Sequence, residues 1–166
     1  MKINTKLISL LLLTQLSLFG VEAGDKTKDF TLPLLSQEKT FDSKSVDNSV
    51  YLLNIWAQWC KGCKAEMPLF DAVAKKYAKD GFKIIAVNID SKEKKASKFV
   101  RKLEDKLGHK SNIIFVYDQK KSLPKYYDAK VIPISLLIKN NKIEKVFMGS
   151  FSDEKELSKE IERLLK

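Results

Sequence analysis

IWAQWCKGCKAEMPLF, residues 55–70, holds both cysteines of the 166-residue chain. The run before it, VYLLNI at Val50 to Ile55, is almost continuously apolar, as expected of a strand buried on both faces. The residues after it suit a helix that runs from about Cys60 to Asp80 and stops at Gly81. The cysteines therefore sit where a buried strand hands over to a helix. Unpaired N–H groups and the positive end of the helix dipole point at the first sulfur, and both favour thiolate over thiol. Lys61 and Lys64 add positive charge. Cys63 lies one turn further in, close enough to close a disulfide with Cys60. The pattern reads as an attacking thiol, Cys60, and a resolving thiol, Cys63.

Other chemistries are open to two cysteines. Structural zinc takes a second Cys or His pair, which this sequence lacks. His109, the only histidine, follows the glycine that ends a helix and reads as a solvent-exposed cation. A purely structural disulfide usually closes a longer loop, because two intervening residues remove little chain entropy. Cu(I) held between two soft thiolates is a further alternative, weakened by the lack of a third Cys, Met or His nearby.

The N-terminus bears on the compartment. Lys2 and Lys6 precede an apolar run, Leu7 to Phe19, and Val21-Glu22-Ala23 before Gly24 has the small-residue character of a signal-peptidase site. The run is shorter than the ~20 residues of a membrane-spanning helix. Residues 1–23 are read as a signal peptide directing export to the periplasm, with an uncleaved anchor as the alternative; a lipoprotein anchor lacks its cysteine. Residues 24–166 form one domain. The net charge is +10, but the lysines interleave with Glu and Asp along the whole chain, and only Arg101 and Arg163 are arginines. That spacing describes a solvated face and argues against nucleic acid.

Working outward, Phe30 to Leu32 and Lys39 to Phe41 read as an N-terminal hairpin, the first strand ended by Pro33. Phe82 to Ile89 is a second buried strand. Asp90-Ser91 can cap the next helix, whose apolar stripe is Ala96, Phe99, Val100, Leu103 and Leu107, ending at Gly108. Ile113 to Tyr117 is a third strand, followed by a short helical piece near Lys120 to Tyr127. Ile134 to Ile138 and Ile143 to Phe147 flank the turn-forming pair Asn140-Asn141. A last helix follows Ser152. The class is α/β, a mixed sheet with helices on both faces.

W-A-x-W-C-x-x-C after a buried strand resembles thioredoxin, and more closely the exported thioredoxin-like proteins of the TlpA, ResA and CcmG type. Pro68 matches the proline that kinks the family's active-site helix. Val131-Ile132-Pro133 matches its cis-proline loop, and DFTLPLLSQEKTF its extra N-terminal strands. Gly149 matches a glycine that leaves room beside the active site. The resemblance covers Asp29 to Lys166 and implies a thioredoxin fold and thiol–disulfide exchange, with no cofactor. It also implies that Trp59 shields the pair while Trp56 packs in the core, and that the Ile132 backbone beside Pro133 pairs with substrate. Where thioredoxin has a buried aspartate this chain has Asn54, which cannot shuttle a proton. The exported relatives use a glutamate three residues after the second cysteine, here Glu66. Spacing supports that separately: Cys63, Glu66, Phe70, Val73 and Tyr77 form one helical stripe, so Glu66 belongs on the buried side.

Lys61-Gly62 departs from the family's usual pairs. Ile134, where CcmG-type proteins often carry an acid, weakens a link to cytochrome c maturation, and Ile132 before the proline is the reducing relatives' choice. The implied partners are proteins with disulfides, apocytochrome c among them, and a membrane thiol-electron donor of the DsbD/CcdA type. The chain is expected to act as a monomeric reductase. A disulfide oxidase or isomerase is the alternative within the same chemistry.

Overall fold

The computed structural model describes residues 20–166, so the apolar run Leu7 to Phe19 lies outside the described residues. Eleven strands and α-helices follow in chain order: β1 (Thr31–Pro33), β2 (Thr40–Asp42), β3 (Val50–Trp56), α1 (Lys61–Lys76), β4 (Lys83–Asn88), α2 (Glu93–Leu107), β5 (Ile114–Tyr117), α3 (Ser122–Tyr126), β6 (Ile134–Lys139), β7 (Lys142–Met148) and α4 (Lys155–Leu165). Five strands form one sheet in the order β5-β4-β3-β6-β7. β3 lies at its centre, parallel to β4 and antiparallel to β6, and every one of its residues is buried. A strand with neighbours on both edges and helices on both faces has no polar side, hence its unbroken apolar sequence.

The period-2 alternation of β3 sorts its side chains between two cores. Leu52 and Trp56 pack against α1, α2 and α4. Tyr51, Leu53 and Ile55 pack against α3 and the N-terminal hairpin. Asn54 belongs by register to the α1 side, beneath the helix that carries the cysteines.

The sheet edges are handled differently. The β1–β2 hairpin covers β5: Leu34 bridges Val116, and the Leu35 N–H donates to the Phe115 carbonyl at 2.9 Å. Residues 24–27 run beside the start of β7, with Gly24 N–H donating to Ile143 O (2.7 Å) and Ile143 N–H to Asp25 O (2.9 Å). The sequence carried no sign of this second cover. Asn140 and Asn141 both take positive φ, 52° and 58°, the turn that a tight hairpin requires.

Three sequence expectations change. Helix α1 ends at Lys76, and a short 3-10 turn at Ala78–Asp80 carries the chain to Gly81, whose φ is +78°. Asp90 does not cap α2; Lys92 occupies the N-cap with no side-chain bond, and the Asp90 carboxylate is engaged elsewhere. His109 is exposed at the helix end, as expected, but it is also tied down. Its Nε2 lies 2.9 Å from the buried Asp71 carboxylate and its Nδ1 3.0 Å from the Leu107 carbonyl.

Asp71 also accepts from Ser111 Oγ (2.8 Å) and Asn112 N–H (2.6 Å), fastening the α2–β5 connection to α1. Burial opposes its ionisation, but the Asn112, His109 and Ser111 hydrogen bonds outweigh that and hold its pKa below the usual value. A depressed carboxyl stabilises the fold above its unfolded pKa and loses that contribution as pH falls through its folded one. Asp71→Ala should therefore cost about 2 kcal/mol at neutral pH, since charged-acceptor bonds are lost and donors left unpaired. The deficit should shrink once pH falls below about 4. Urea unfolding at the two pH values reads this directly; a pH-independent deficit would reduce Asp71 to a packing residue.

Candidate active site

The sequence places Cys60 at the N-cap of α1, where its Sγ accepts the Cys63 N–H at 3.2 Å. Cys60 and Cys63 form a disulfide with S–S 2.10 Å. The two sulfurs differ in access: Cys60 is 9 % exposed and Cys63 fully buried. Only the outer one can meet an incoming disulfide.

The cis peptide Ile132–Pro133 lies against this sulfur, with the Ile132 carbonyl 3.8 Å from Cys60 Sγ. A disulfide sulfur carries no proton, so this is a contact rather than a hydrogen bond. The loop is held from the far side, where the Gly149 N–H donates to the Pro133 carbonyl at 2.9 Å. Trp59 is 67 % exposed beside Cys60, whereas Trp56 is fully buried. Trp56 packs on Phe99 and Phe115 at 5.4 and 5.8 Å, and its indole nitrogen has no partner among the described residues.

Glu66 is fully buried on the Cys63 side of α1. Burial raises its pKa to about 7, against the pull of hydrogen bonds from Phe151 N–H and the Asn54 amide. Those bonds are 3.1 Å each, to Oε2 and Oε1. A carboxyl that titrates near neutrality is matched to taking and returning a proton under ordinary conditions.

Sequence reasoning set Asn54 aside because it cannot carry a proton, yet it positions the group that can. Its Nδ2 donates to Glu66 and, at 2.9 Å, to Ser135 Oγ on β6, while its Oδ1 has no partner among the described residues. Asn54 and Ser135 are register partners across β3 and β6. A polar pair at matching positions in two apolar strands was a visible signal, but their pairing was not.

The Asp90 carboxylate is a second residue that the sequence reading misplaced. Buried, it accepts the Gln58 N–H (2.8 Å) and Asn88 Nδ2 (2.9 Å), so it ties down the loop that carries Trp59 and Cys60. The room-making glycine also changes. A Cβ added to Gly149 would meet nothing within 4 Å, and that residue is needed for its φ of +88°. One added to Gly62 would stand 3.1 Å from Ser150 Oγ. Gly62 is what lets the helix start approach the Ser150 loop.

Comparison with known proteins identifies the family. The Redoxin family model matches residues 22–163. Thioredoxin-like protein YneN of Bacillus subtilis is 42% identical over 86 residues, 52% of this chain but only 49% of that protein. Thiol-disulfide oxidoreductase ResA of Geobacillus kaustophilus is 30% identical over 136 residues, 81% of this chain and 74% of that one. The match to ResA of Oceanobacillus iheyensis spans 66% of its length, so the chain covers about half of YneN and just under two thirds of this ResA. A crystal structure of a DsbE-type thiol:disulfide interchange protein from Chlorobium tepidum superposes with TM-score 0.78 at 30% identity, covering 88% of this chain and 99% of that one. With a Cys-x-x-Cys pair at a helix start, a cis-proline loop against it and these relatives, the chain belongs to the Redoxin family, in the ResA-like thiol–disulfide oxidoreductase group of the thioredoxin fold.

Proposed function

We propose that the protein is an extracytoplasmic reductase of protein disulfides. The observation that carries this is the pairing of an accessible Cys60 sulfur with a buried Cys63 that has Glu66 behind it. In the reduced protein, the Cys60 thiolate attacks a substrate disulfide. One S–S bond breaks and one forms, and the released substrate thiolate takes a proton. Cys63 passes its proton to Glu66 and attacks Cys60 Sγ. The second substrate thiol leaves, and Cys60–Cys63 is the disulfide that remains. Two electrons and two protons pass to the substrate. Ile132, on the N-terminal side of the cis bond, presents its backbone where an extended substrate segment can pair with it.

Supporting export are the basic and apolar character of residues 2–19, with cleavage after Ala23, and the description of similar folds as a secreted oxidoreductase from Mycobacterium tuberculosis and an exposed lipoprotein thioredoxin from Streptococcus pneumoniae. Among the described residues no helix is long and apolar enough to cross a membrane. The electrons then come from a membrane thiol donor of the DsbD/CcdA type, with the protein acting as a monomer. Apocytochrome c suits the chemistry as a substrate, because a C-x-x-C-H pair must be a dithiol before haem attaches to it.

The direction of flow is tested by the reduction potential. Lys61 and Lys64 stabilise the Cys60 thiolate and push the potential upward. An exposed lysine such as Lys61 contributes about 1 kcal/mol or less, equivalent to about 20 mV. That is small against the gap between thioredoxin near about −270 mV and DsbA near about −120 mV. Equilibration with glutathione should give a value towards the thioredoxin end. A potential above about −160 mV would make the protein an oxidase instead.

A further inference from the structure

The sequence disperses its lysines evenly, but the fold gathers several of them beside the redox pair. Helices α1 and α2 pack on the same face of the sheet, and between them opens a cleft of about 440 Å³ lined by Gln58, Lys64, Lys95, Lys98, Phe99 and Lys102. Lys95, Lys98 and Lys102 advance by three and four residues, which puts them on one side of α2. Lys64 faces them from α1, Phe99 forms an apolar floor, and Gln58 stands two residues before Cys60. Lys61, exposed on the first turn of α1, extends the positive edge to the thiol pair itself. The nine ion pairs among the described residues engage none of these five lysines. Glu104 is tied to Lys110, and the exposed Asp105 sits beyond Lys102 at the far end.

Uncompensated like charges held on two facing helices repel one another, so a ligand that neutralises them gains what the fold itself leaves unmet. From this geometry we infer that the cleft binds an acidic polypeptide segment flanking the disulfide that Cys60 attacks. The inference rests on the exchange reaction proposed above and narrows its substrate class. Along α2, Lys95 to Lys102 spans about 10 Å at 1.5 Å per residue. That is the length of about three extended residues, so a short Asp/Glu run next to a substrate cysteine matches the row. The cleft favours a chain over a membrane surface. A planar array of headgroups does not enter a groove, and the groove opens at the residues that lead into Cys60. Charge placed here acts chiefly on encounter, raising association rate more than final affinity.

The test uses three disulfide-bonded peptides with the same cysteine core, flanked by three Glu, three Ser or three Lys. Their reduction by the reduced full domain is followed by acid quench and mass spectrometry. At about 20 mM ionic strength, where screening acts over about 20 Å, the Glu-flanked peptide should react about tenfold faster than the Ser-flanked one. The Lys-flanked peptide should be slower than both. At about 0.5 M salt the three rates should converge. The triple variant K95E/K98E/K102E, altered only at exposed positions, should reverse the order of the Glu and Lys peptides and leave the Ser peptide's rate unchanged. Equal rates for all three flanks, or a Glu preference that survives in the triple variant, would overturn the inference. Equal rates together with lysine-dependent sedimentation on phosphatidylglycerol vesicles would assign the cleft to a membrane instead. Failure to reduce any peptide would count against the reductase reading, not against the cleft.

Discussion

Cys63→Ser should turn the protein from a catalyst into a trap. With the resolving sulfur gone, the Cys60 thiolate still opens a substrate disulfide, but nothing inside the protein can displace the product. A mixed disulfide should accumulate and persist on non-reducing gels. Cys60→Ser should form no such adduct, although it keeps a thiol. The difference follows from access and charge. Cys60 Sγ sits at the helix N-cap, accepting the Cys63 N–H, where the dipole favours a thiolate; Cys63 is enclosed. Both variants should lose multiple turnover by about 10³-fold or more, because each of the two steps needs its own sulfur. Adducts of similar yield on the Cys60→Ser protein would reverse the roles assigned to the two cysteines. Limiting iodoacetamide on the reduced wild-type protein offers a second reading, with Cys60 labelled first.

Glu66→Gln should slow the second step while making the oxidised protein more stable at neutral pH. The stability effect follows from proton counts. Glu66 titrates near 7 in the fold, against 4.5 for an ordinary glutamate. Between those values the unfolded chain has released the proton and the folded one keeps it, so stability falls as pH rises through that window. Above pH 7 the full penalty applies, about 3 kcal/mol from a shift of this size. Below about pH 4.5 there is none. Gln removes the charge and finds partners in place. Its carbonyl can accept from Phe151 N–H, and its amide can donate to Asn54 Oδ1, the buried acceptor that is otherwise unpaired, once the Asn54 amide turns over.

Urea unfolding should therefore show a gain of about 1–3 kcal/mol at pH 8 that disappears by about pH 4. Release of the mixed disulfide near pH 7.5 should slow by about 10²-fold, as expected when a general base is lost, and the inflection near pH 7 should vanish from its profile. An unaltered profile would leave Glu66 as a buried acid with no part in resolution. A destabilised variant would mean that its hydrogen bonds outweigh the burial of its charge.

Much of the fold was legible because it depends on local, periodic signals. VYLLNI has no polar side and so had to be a central strand. Asn140-Asn141 takes the two positive-φ positions that few other residue pairs accept, so the last hairpin followed. The stripe through Cys63, Glu66, Phe70 and Val73 put Glu66 on the inside of the helix by spacing alone. Helix ends were read less well. At Asp90 the short carboxylate had a choice between a nearby helix and a loop distant in sequence, and it went to Gln58 N–H, 32 residues away. His109 likewise found Asp71, 38 residues back. Neither choice is encoded by spacing.

By itself, then, the sequence determined the chemistry: two cysteines three residues apart at a strand-to-helix junction, a carboxylate one turn further on, and a proline loop that matches the family's. The cysteines and the carboxylate follow from backbone geometry over a few residues, where the 3.6 and 2.0 periodicities decide which side chains share a face; the proline loop follows from the resemblance. Only the tertiary structure decided the rest. Asn54 meets Glu66 and Ser135 because β3 pairs with β6 in one particular register. Gly62 makes room because the Ser150 loop returns there, and Gly149 is needed for its backbone angle. Lysines that look evenly spread along the chain face one another across a cleft because α1 and α2 share a side of the sheet. Burial and charge clustering depend on which segments meet, and the free energy that selects those meetings comes from the whole core, not from any one stretch of it.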